Sequence, residues 1–338
     1  MKKTNIAIVG ATGNVGREIL KILYERKFPF KKISIIASKK SEGTEIKFGP
    51  KKILKIQSLE NFDFSNIDLV LSSPGAKISK TFVPLATKSG AVVIDNTSCF
   101  RMDDDVPLIV PEVNLETMKL YRSRNVIANP NCSTIQMVVA LKPLHDEFKI
   151  KKIVVSTYQS TSGAGKSAMD ELFDQTISMF KNKTYSNKNF TKKIAFNVIP
   201  HIDKFLRNGD TKEESKMVNE TKKILGDEIE VFATCVRVPV FIGHGESVYI
   251  ETDKKISASL ASKVLKTAPG IKVIDTRKDG GYVTPDETFG EDDVFVSRIR
   301  ESKSIKNSLG MWVVADNLRK GAALNSVQIA ENLIRKYL

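Results

Sequence analysis

From Asn5 to Asn129, short apolar runs alternate with turns and amphipathic stretches, and this alternation restricts the fold more than any other feature of the chain. Asn5–Val9 is an apolar run of strand length. It ends in Gly10-Ala11-Thr12-Gly13-Asn14-Val15-Gly16, and Arg17–Leu23 continues as an amphipathic helix. Ile33–Ala37, Asp68–Gly75, Ala91–Asn96 and Val126–Asn129 repeat the apolar run, with a helix over Ile78–Ser89. Repeated βα units predict a parallel sheet with helices on both faces and ligands beyond the C-terminal strand ends. Ser72–Gly75 and Asn96–Arg101 fall at those ends.

The first turn has the spacing G-x-x-G-x-x-G, a variant of the dinucleotide-binding G-x-G-x-x-G. Glycines let the backbone approach a pyrophosphate, and the N-terminus of the following helix faces its charge. An ordinary tight βα turn has the same look. A NAD-specific site would carry Asp or Glu after the second strand. This chain has Ser38-Lys39-Lys40-Ser41, whose cations and hydroxyls suit a 2′-phosphate, so NADP is expected over NAD. A solvated basic loop is the alternative. Arg101 can clamp an anion through two N–H groups, or it can pair with Asp103-Asp104-Asp105 at the surface.

Asn129-Pro130-Asn131-Cys132-Ser133-Thr134 feeds the apolar run Ile135–Leu141, which predicts a helix beginning at about Cys132. A cysteine there sits beside unpaired N–H groups and the positive end of the helix dipole, which favour the nucleophilic thiolate. Free cysteine is also often a small core filler. The pattern changes after this point. Strands are expected at Ile153–Gln159, Glu230–Val240, Ser247–Glu251, Lys272–Asp275, Val294–Arg300 and Met311–Ala315, with helices at Ala168–Phe180, Thr211–Leu225, Ile256–Thr267 and Leu318–Lys336. Long connections between the strands predict an α+β half with a mostly antiparallel sheet. One face of that sheet has no obvious covering helices, which fits a homodimer. Thr211 and Glu214 form a capping box, and Glu213 and Lys216 share a helix face, where an exposed ion pair is the default reading. Gly165-Lys166-Ser167 imitates a P-loop ending, but Ser160 stands where the motif needs glycine, which excludes a nucleotide triphosphatase. Gly243-His244-Gly245-Glu246 is expected to be a turn. Its histidine reads either as a general acid/base or as a solvent-facing turn residue. His145 and His201 read as structural or surface.

The chain of 338 residues is long enough for two domains and carries a formal net charge of +14. Its lysines and arginines are scattered, with no RNA-binding aromatic motif, zinc finger or basic tail. The charge therefore reads as a solvated surface with a few anion sites, and no nucleic-acid partner is expected. Three cysteines give no disulfide framework and no metal-site spacing, which fits a reducing, cytoplasmic compartment. No stretch is apolar over a bilayer's thickness, so no membrane association is expected.

Gly10–Gly16, Asn96–Arg101, Val110–Asn114, Asn129–Thr134, Gln159–Gly165, Glu213–Lys216, Arg237 and Gly243–Glu246 occur in one order, and together they resemble the aspartate-semialdehyde dehydrogenases. The resemblance runs from about Asn5 to the end, and its most specific part is Asn-Pro-Asn-Cys-Ser-Thr. The related N-acetyl-gamma-glutamyl-phosphate reductases carry Asn-Pro-Gly-Cys and an aromatic residue instead. They remain the alternative, beside a non-catalytic NADP-binding sensor of the same fold. The resemblance implies an N-terminal Rossmann-like domain over 1–131, completed by a C-terminal helix over 317–338, and a catalytic and dimerisation domain over 132–316. It implies interconversion of aspartate 4-semialdehyde, phosphate and NADP+ with 4-aspartyl phosphate and NADPH, a step toward lysine, methionine and threonine. By the same resemblance Cys132 is the nucleophile, His244 the acid/base, and Gln159 positions the bound substrate. Arg237 holds the substrate carboxylate and Glu213 its amine, Arg101 and Lys216 hold phosphate, and Asn131 also lines the substrate. Gly10, Thr12, Gly13, Asn14, Val15, Gly16, Lys40, Ser41, Ser162, Gly163 and Asn317 contact NADP. Lys40 stands where the family often has arginine, a point charge in place of a fork.

Overall fold

The computed structural model describes residues 3–338. The chain divides into two compact units, one of Met1–Asn131 with Ala322–Leu338 and the other of Cys132–Gly321.

In the first unit, β1 (Thr4–Val9) leads to α1 (Asn14–Glu25) and β2 (Phe30–Ala37). A hairpin of β3 (Glu45–Phe48) and β4 (Lys52–Ser58) follows. Then come β5 (Leu69–Ser72), α2 (Ala76–Lys88), β6 (Val92–Asp95), the short α3 (Pro111–Asn114) and β7 (Val126–Ala128). The sheet order is β3-β4-β2-β1-β5-β6-β7, and every pairing is parallel except that of β3 with β4. β1 and β5 are buried nearly end to end, as strands covered on both faces must be. The β3–β4 hairpin was not expected. It buries Ile46, Phe48, Leu54 and Ile56, but alternating lysines dilute that signal in the sequence.

In the second unit, α4 (Cys132–Phe148) starts at the cysteine, and β8 (Ile150–Gln159), α5 (Lys166–Phe180), α6 (Lys212–Leu225) and β9 (Glu230–Arg237) follow. The unit continues with β10 (His244–Thr252), α7 (Ala258–Thr267), β11 (Ile271–Val273), β12 (Val294–Glu301) and β13 (Ser308–Ala315). Its sheet order is β11-β12-β13-β10-β8-β9. β10 pairs antiparallel with both neighbours, while β8–β9 and β11–β12 are parallel. The sheet is therefore mixed and mostly antiparallel. α4 packs on β8, β10, β12 and β13, and α6 lies against α4 and β9. β9 is shorter than expected: it stops at Arg237, ahead of Pro239.

The last helix, α8 (Leu324–Lys336), begins later than the pattern predicts. Arg319–Ala323 forms a wide π turn, in which Gly321 N–H reaches back to the Asp316 carbonyl at 3.1 Å. Asp316 Oδ1 also accepts from the N–H groups of Leu318 and Arg319. Asn317 stays with the second unit, because its side chain is bonded to Ser162 and to the Gly243 N–H there. The segment that joins the first unit therefore starts at Ala322 and not at residue 317. In the first unit, α8 contributes Leu324, Val327, Ala330 and Leu333 to the core built by α1 and the sheet. Among the described residues no helix is long and apolar enough to cross a membrane, and no group of His, Cys, Asp and Glu is arranged to hold a metal.

Candidate active site

Of the three cysteines, two are poorly suited to attack. Burial pushes the thiol of Cys235 far up, with the charge of Glu213 adding to it. Cys99 is raised by burial and then by Asp95. Cys132 is the first residue of α4 and only partly buried, at the end of a long helix where N–H groups favour an anion. Gly321 backs it: a Cβ on that glycine would lie 3.0 Å from Cys132 Cβ, so a larger residue would crowd the nucleophile.

His244 is not on a turn. It opens β10, pairs with Ala315 of β13 and is fully buried. The glycines that imitate a turn have other reasons. A side chain on Gly245 would enter the Trp312 ring, and one on Gly243 would meet the Pro285 carbonyl. His244 Nδ1 accepts from Ser160 N–H at 3.1 Å and lies 3.0 Å from Ser160 Oγ. That contact fixes the tautomer with its proton on Nε2, an atom with no protein partner among the described residues. Burial, and after it the nearby positive charge of Arg237, lower the imidazole to about 3. The ring is therefore neutral at working pH.

Arg237 ends β9, almost wholly buried, and donates through Nη1 to the Ser160 carbonyl at 2.7 Å. Burial pulls its pKa down, and the charges of Glu213 and Cys132 oppose that. Arg237 and His244 converge on Gly163, where an added Cβ would lie 3.0 Å from Arg237 Nη1 and 3.3 Å from His244 Nε2. Gln159, at the end of β8, donates to Glu213 at 3.3 Å. Glu213 pairs with Lys216 at 3.0 Å, and Lys216 also reaches Asp203 at 3.0 Å. This is not the exposed helix pair that the spacing alone suggests, because Glu213 is only 5% exposed. Burial works against the charge on Lys216, but Glu213 and Asp203 outweigh it and leave the pKa raised. The expected capping box is present, and Glu214 Oε1 further accepts from Cys235 N–H at 2.9 Å, which fastens α6 to β9.

Ser162 and Asn317, expected at the cofactor, lie beside the histidine. Asn317 Oδ1 accepts from Ser160, Ser162 and the Gly243 N–H. Lys166 of the P-loop imitation is an exposed lysine paired with Asp170. His201 stacks on Phe205. Ser160, which contacts both His244 and Arg237, had no signal in the sequence beyond its place next to Gln159.

In the first unit, the glycine turn follows β1. Gly10 has φ +85°, and a Cβ there would strike the Ser73 carbonyl; one on Gly16 would strike the carbonyl of Gly10 at 2.3 Å. β1 lies between β2 and β5, so the turn sits where the strand order reverses. α1 has no side-chain cap and no acidic residue in its first turn, which leaves its N–H groups suited to an anion. Thr12 and Gly13 are exposed and Asn14 and Val15 half-buried around it. Lys40 and Ser41 form a short turn after β2, with Lys40 exposed. Arg101 is buried and donates to the carbonyls of Asn129 and Asn96, at 2.9 and 2.8 Å, while Arg124 pairs with Asp103 and Asp105 in the acidic run. Asn131 is buried at the end of this unit.

Comparison with known proteins adds the decisive observation. Residues 5–121 match the family described as Semialdehyde dehydrogenase, NAD binding domain, and residues 141–320 match Semialdehyde dehydrogenase, dimerisation domain. The chain is 54% identical to the aspartate-semialdehyde dehydrogenase of Rickettsia typhi, over 100% of this chain and 99% of that one. The chain belongs to the aspartate-semialdehyde dehydrogenase family. It is an oxidoreductase of aspartate-family amino-acid biosynthesis. A crystal structure of aspartate semialdehyde dehydrogenase II from Vibrio cholerae, complexed with ASA, matches all of both chains with TM-score 0.97 and 47% identity. The Candida albicans aspartate semialdehyde dehydrogenase with NADP matches with TM-score 0.74 and 26% identity, covering 98% of this chain and 99% of that one.

Proposed function

We propose that this aspartate-semialdehyde dehydrogenase works through an acyl-thioester on Cys132 and uses NADP, interconverting aspartate 4-semialdehyde and phosphate with 4-aspartyl phosphate. The observation that carries this reading is the convergence of Arg237 and a neutral, Nε2-protonated His244 on Gly163, in the same unit as a helix-terminal cysteine. The anion-ready glycine turn and the lysines after β2 support the choice of NADP. NADP when bound supplies the hydride acceptor.

The Cys132 thiolate adds to the aldehyde carbon and gives a thiohemiacetal, and its oxidised form is a thioester that phosphate cleaves, releasing the thiolate. His244 donates from Nε2 to the substrate oxygen as charge develops on it. A substrate carboxylate on Arg237 neutralises one of the two causes that depress His244, so substrate binding itself raises the imidazole toward the range where it can take and return a proton. Glu213 receives the substrate amine, Lys216 the phosphate, and Gln159 orients the acyl group. Arg101 and Asn131 keep the substrate-binding roles that the resemblance gives them. Ser162, Gly163 and Asn317 line the site around the histidine.

A homodimer is part of the same reading. The face of the second sheet away from α4 presents the exposed Tyr158 and Phe232 and the half-buried Trp312, with Tyr158 and Trp312 in ring contact at 5.6 Å. Such a face fits a second copy. The test is NADPH formation from aspartate semialdehyde and NADP+, with and without phosphate, in the wild type and in Cys132→Ala. Phosphate-dependent turnover that disappears in the variant supports the reading. Turnover that survives in Cys132→Ala contradicts it.

A further inference from the structure

Glu246 lies two residues beyond His244 on β10, facing the same side of the sheet as the histidine. It is fully buried, with Thr157 of β8 and Val313 of β13 as its cross-strand neighbours. No described residue donates a hydrogen bond to either carboxyl oxygen, and Gln136 Oε1 is likewise without a donor. The side chains set against the carboxyl are Gln136 and Ser133, both from the first turns of α4.

The orientation of Gln136 is fixed independently. Its Nε2 donates to the His244 carbonyl at 3.2 Å and to the Val313 carbonyl at 3.5 Å. With its nitrogen committed to those two acceptors, the amide has only its oxygen left to offer the neighbouring carboxyl. Two acceptors then face each other in a site closed to water, an arrangement that is costly unless one of them carries a hydrogen.

We propose that Glu246 keeps its carboxyl proton and donates it to Gln136 Oε1, and that this bond is a positioning element that locks the first turns of α4 to β10 and so sets Cys132 against His244. Burial acts in the same direction and holds the carboxyl well above the usual range. A charge on Glu246 would be felt by the Cys235 thiol on β9, and His244 stands two residues away on its own strand; α4 sets the neutral Ser133 and Gln136 against the carboxyl, and β8 sets Thr157 beside it. Gln136 is the centre of the device. One end of its amide holds the backbone of His244, the other takes the carboxyl proton, and its helix begins with Cys132.

The positioning role rests on the functions proposed above for Cys132 and His244, but the proton does not, and the experiment separates the two. Infrared difference spectra between wild type and Glu246→Gln at neutral pH read the proton directly. The account expects a protonated-acid carbonyl band that the substitution removes; a carboxylate band overturns it, whatever the activity. Kinetics read the positioning. Glu246→Gln carries its own N–H to Gln136 Oε1 and should keep kcat and KM within about twofold, while Glu246→Ala should lose at least about tenfold in kcat with KM little changed, as expected for a small misplacement of reacting groups. Equal damage in both variants overturns the positioning role. If the alanine variant does not fold, the glutamine variant's retained turnover and the infrared band still decide the question.

Discussion

Lowering the pH from about 8 to about 5 should leave His244 uncharged while it charges an ordinary histidine. The ring is fully buried, Nδ1 accepts from Ser160 N–H, and burial with Arg237 brings the imidazole from 6.5 to about 3. In the unfolded chain the same histidine takes up a proton as pH falls below 6.5, whereas the native one waits until about 3. The unfolded state therefore binds more protons across that window. The stability contribution of a neutral His244 is complete above the unfolded value and declines as pH drops through the window. The slope is about 1.4 kcal/mol per pH unit, so at about pH 5 the loss is about 2 kcal/mol, or roughly thirtyfold in the folding equilibrium. His145 is depressed as well, by burial and then by Lys149, so the comparison needs a variant that removes only His244. In denaturation experiments at the two pH values, wild type should lose about 2 kcal/mol more than His244→Gln. Histidine-labelled NMR gives the same answer site by site, since the chain has only three histidines. The signal absent from His244→Gln should show a proton on Nε2 and no titration between about pH 5 and 8. A midpoint near the ordinary value, or equal stability losses in the two proteins, would refute the reasoning.

Other outcomes follow from the same contacts. Arg237→Met removes the second cause of the depression, so NMR should show the His244 midpoint moving upward from about 3, and kcat/KM should fall by about 2–5 kcal/mol in barrier terms. Unchanged titration would mean that burial alone sets the value. Gly163→Ala places a methyl 3.0 Å from Arg237 Nη1 and 3.3 Å from His244 Nε2. Steady-state kinetics should show roughly a tenfold loss in kcat/KM, about 1.4 kcal/mol, with little change in the thermal midpoint. Gly16→Ala sets a methyl 2.3 Å from a backbone oxygen of the glycine turn. NADPH titration by fluorescence should weaken by at least about tenfold, in line with about 1–3 kcal/mol of overpacking; undiminished binding would contradict the cofactor assignment.

Much of the fold is legible in local pattern. The glycine turn and its helix, the start of α4 at Cys132 and the Thr211–Glu214 capping box are set by neighbours a few residues apart, and the sequence carries them openly. Features created by long-range packing are harder to read. Gly243-His244-Gly245 has the composition of a turn, yet its glycines serve the approach of Pro285 and Trp312, which are distant in sequence. The π turn before α8 depends on Asp316 gathering N–H groups and on Gly321 lying against Cys132, so no periodicity announces it. Ser160, Gln136 and Glu246 gain their roles only when α4, β8 and β10 come together. Strand alternation from His244 would have placed Glu246 on the same face, had the turn reading not intervened.

The central claim is the thioester on Cys132, and a single-turnover experiment without phosphate tests it most directly. Enzyme mixed with aspartate semialdehyde and NADP+ alone should produce a burst of NADPH stoichiometric with active sites and then stall. The mass of an aspartyl group should appear on the peptide that contains Cys132, and added phosphate should release it and restart turnover. A phosphate-free reaction with no burst, or a burst that leaves Cys132 unmodified, would contradict the account.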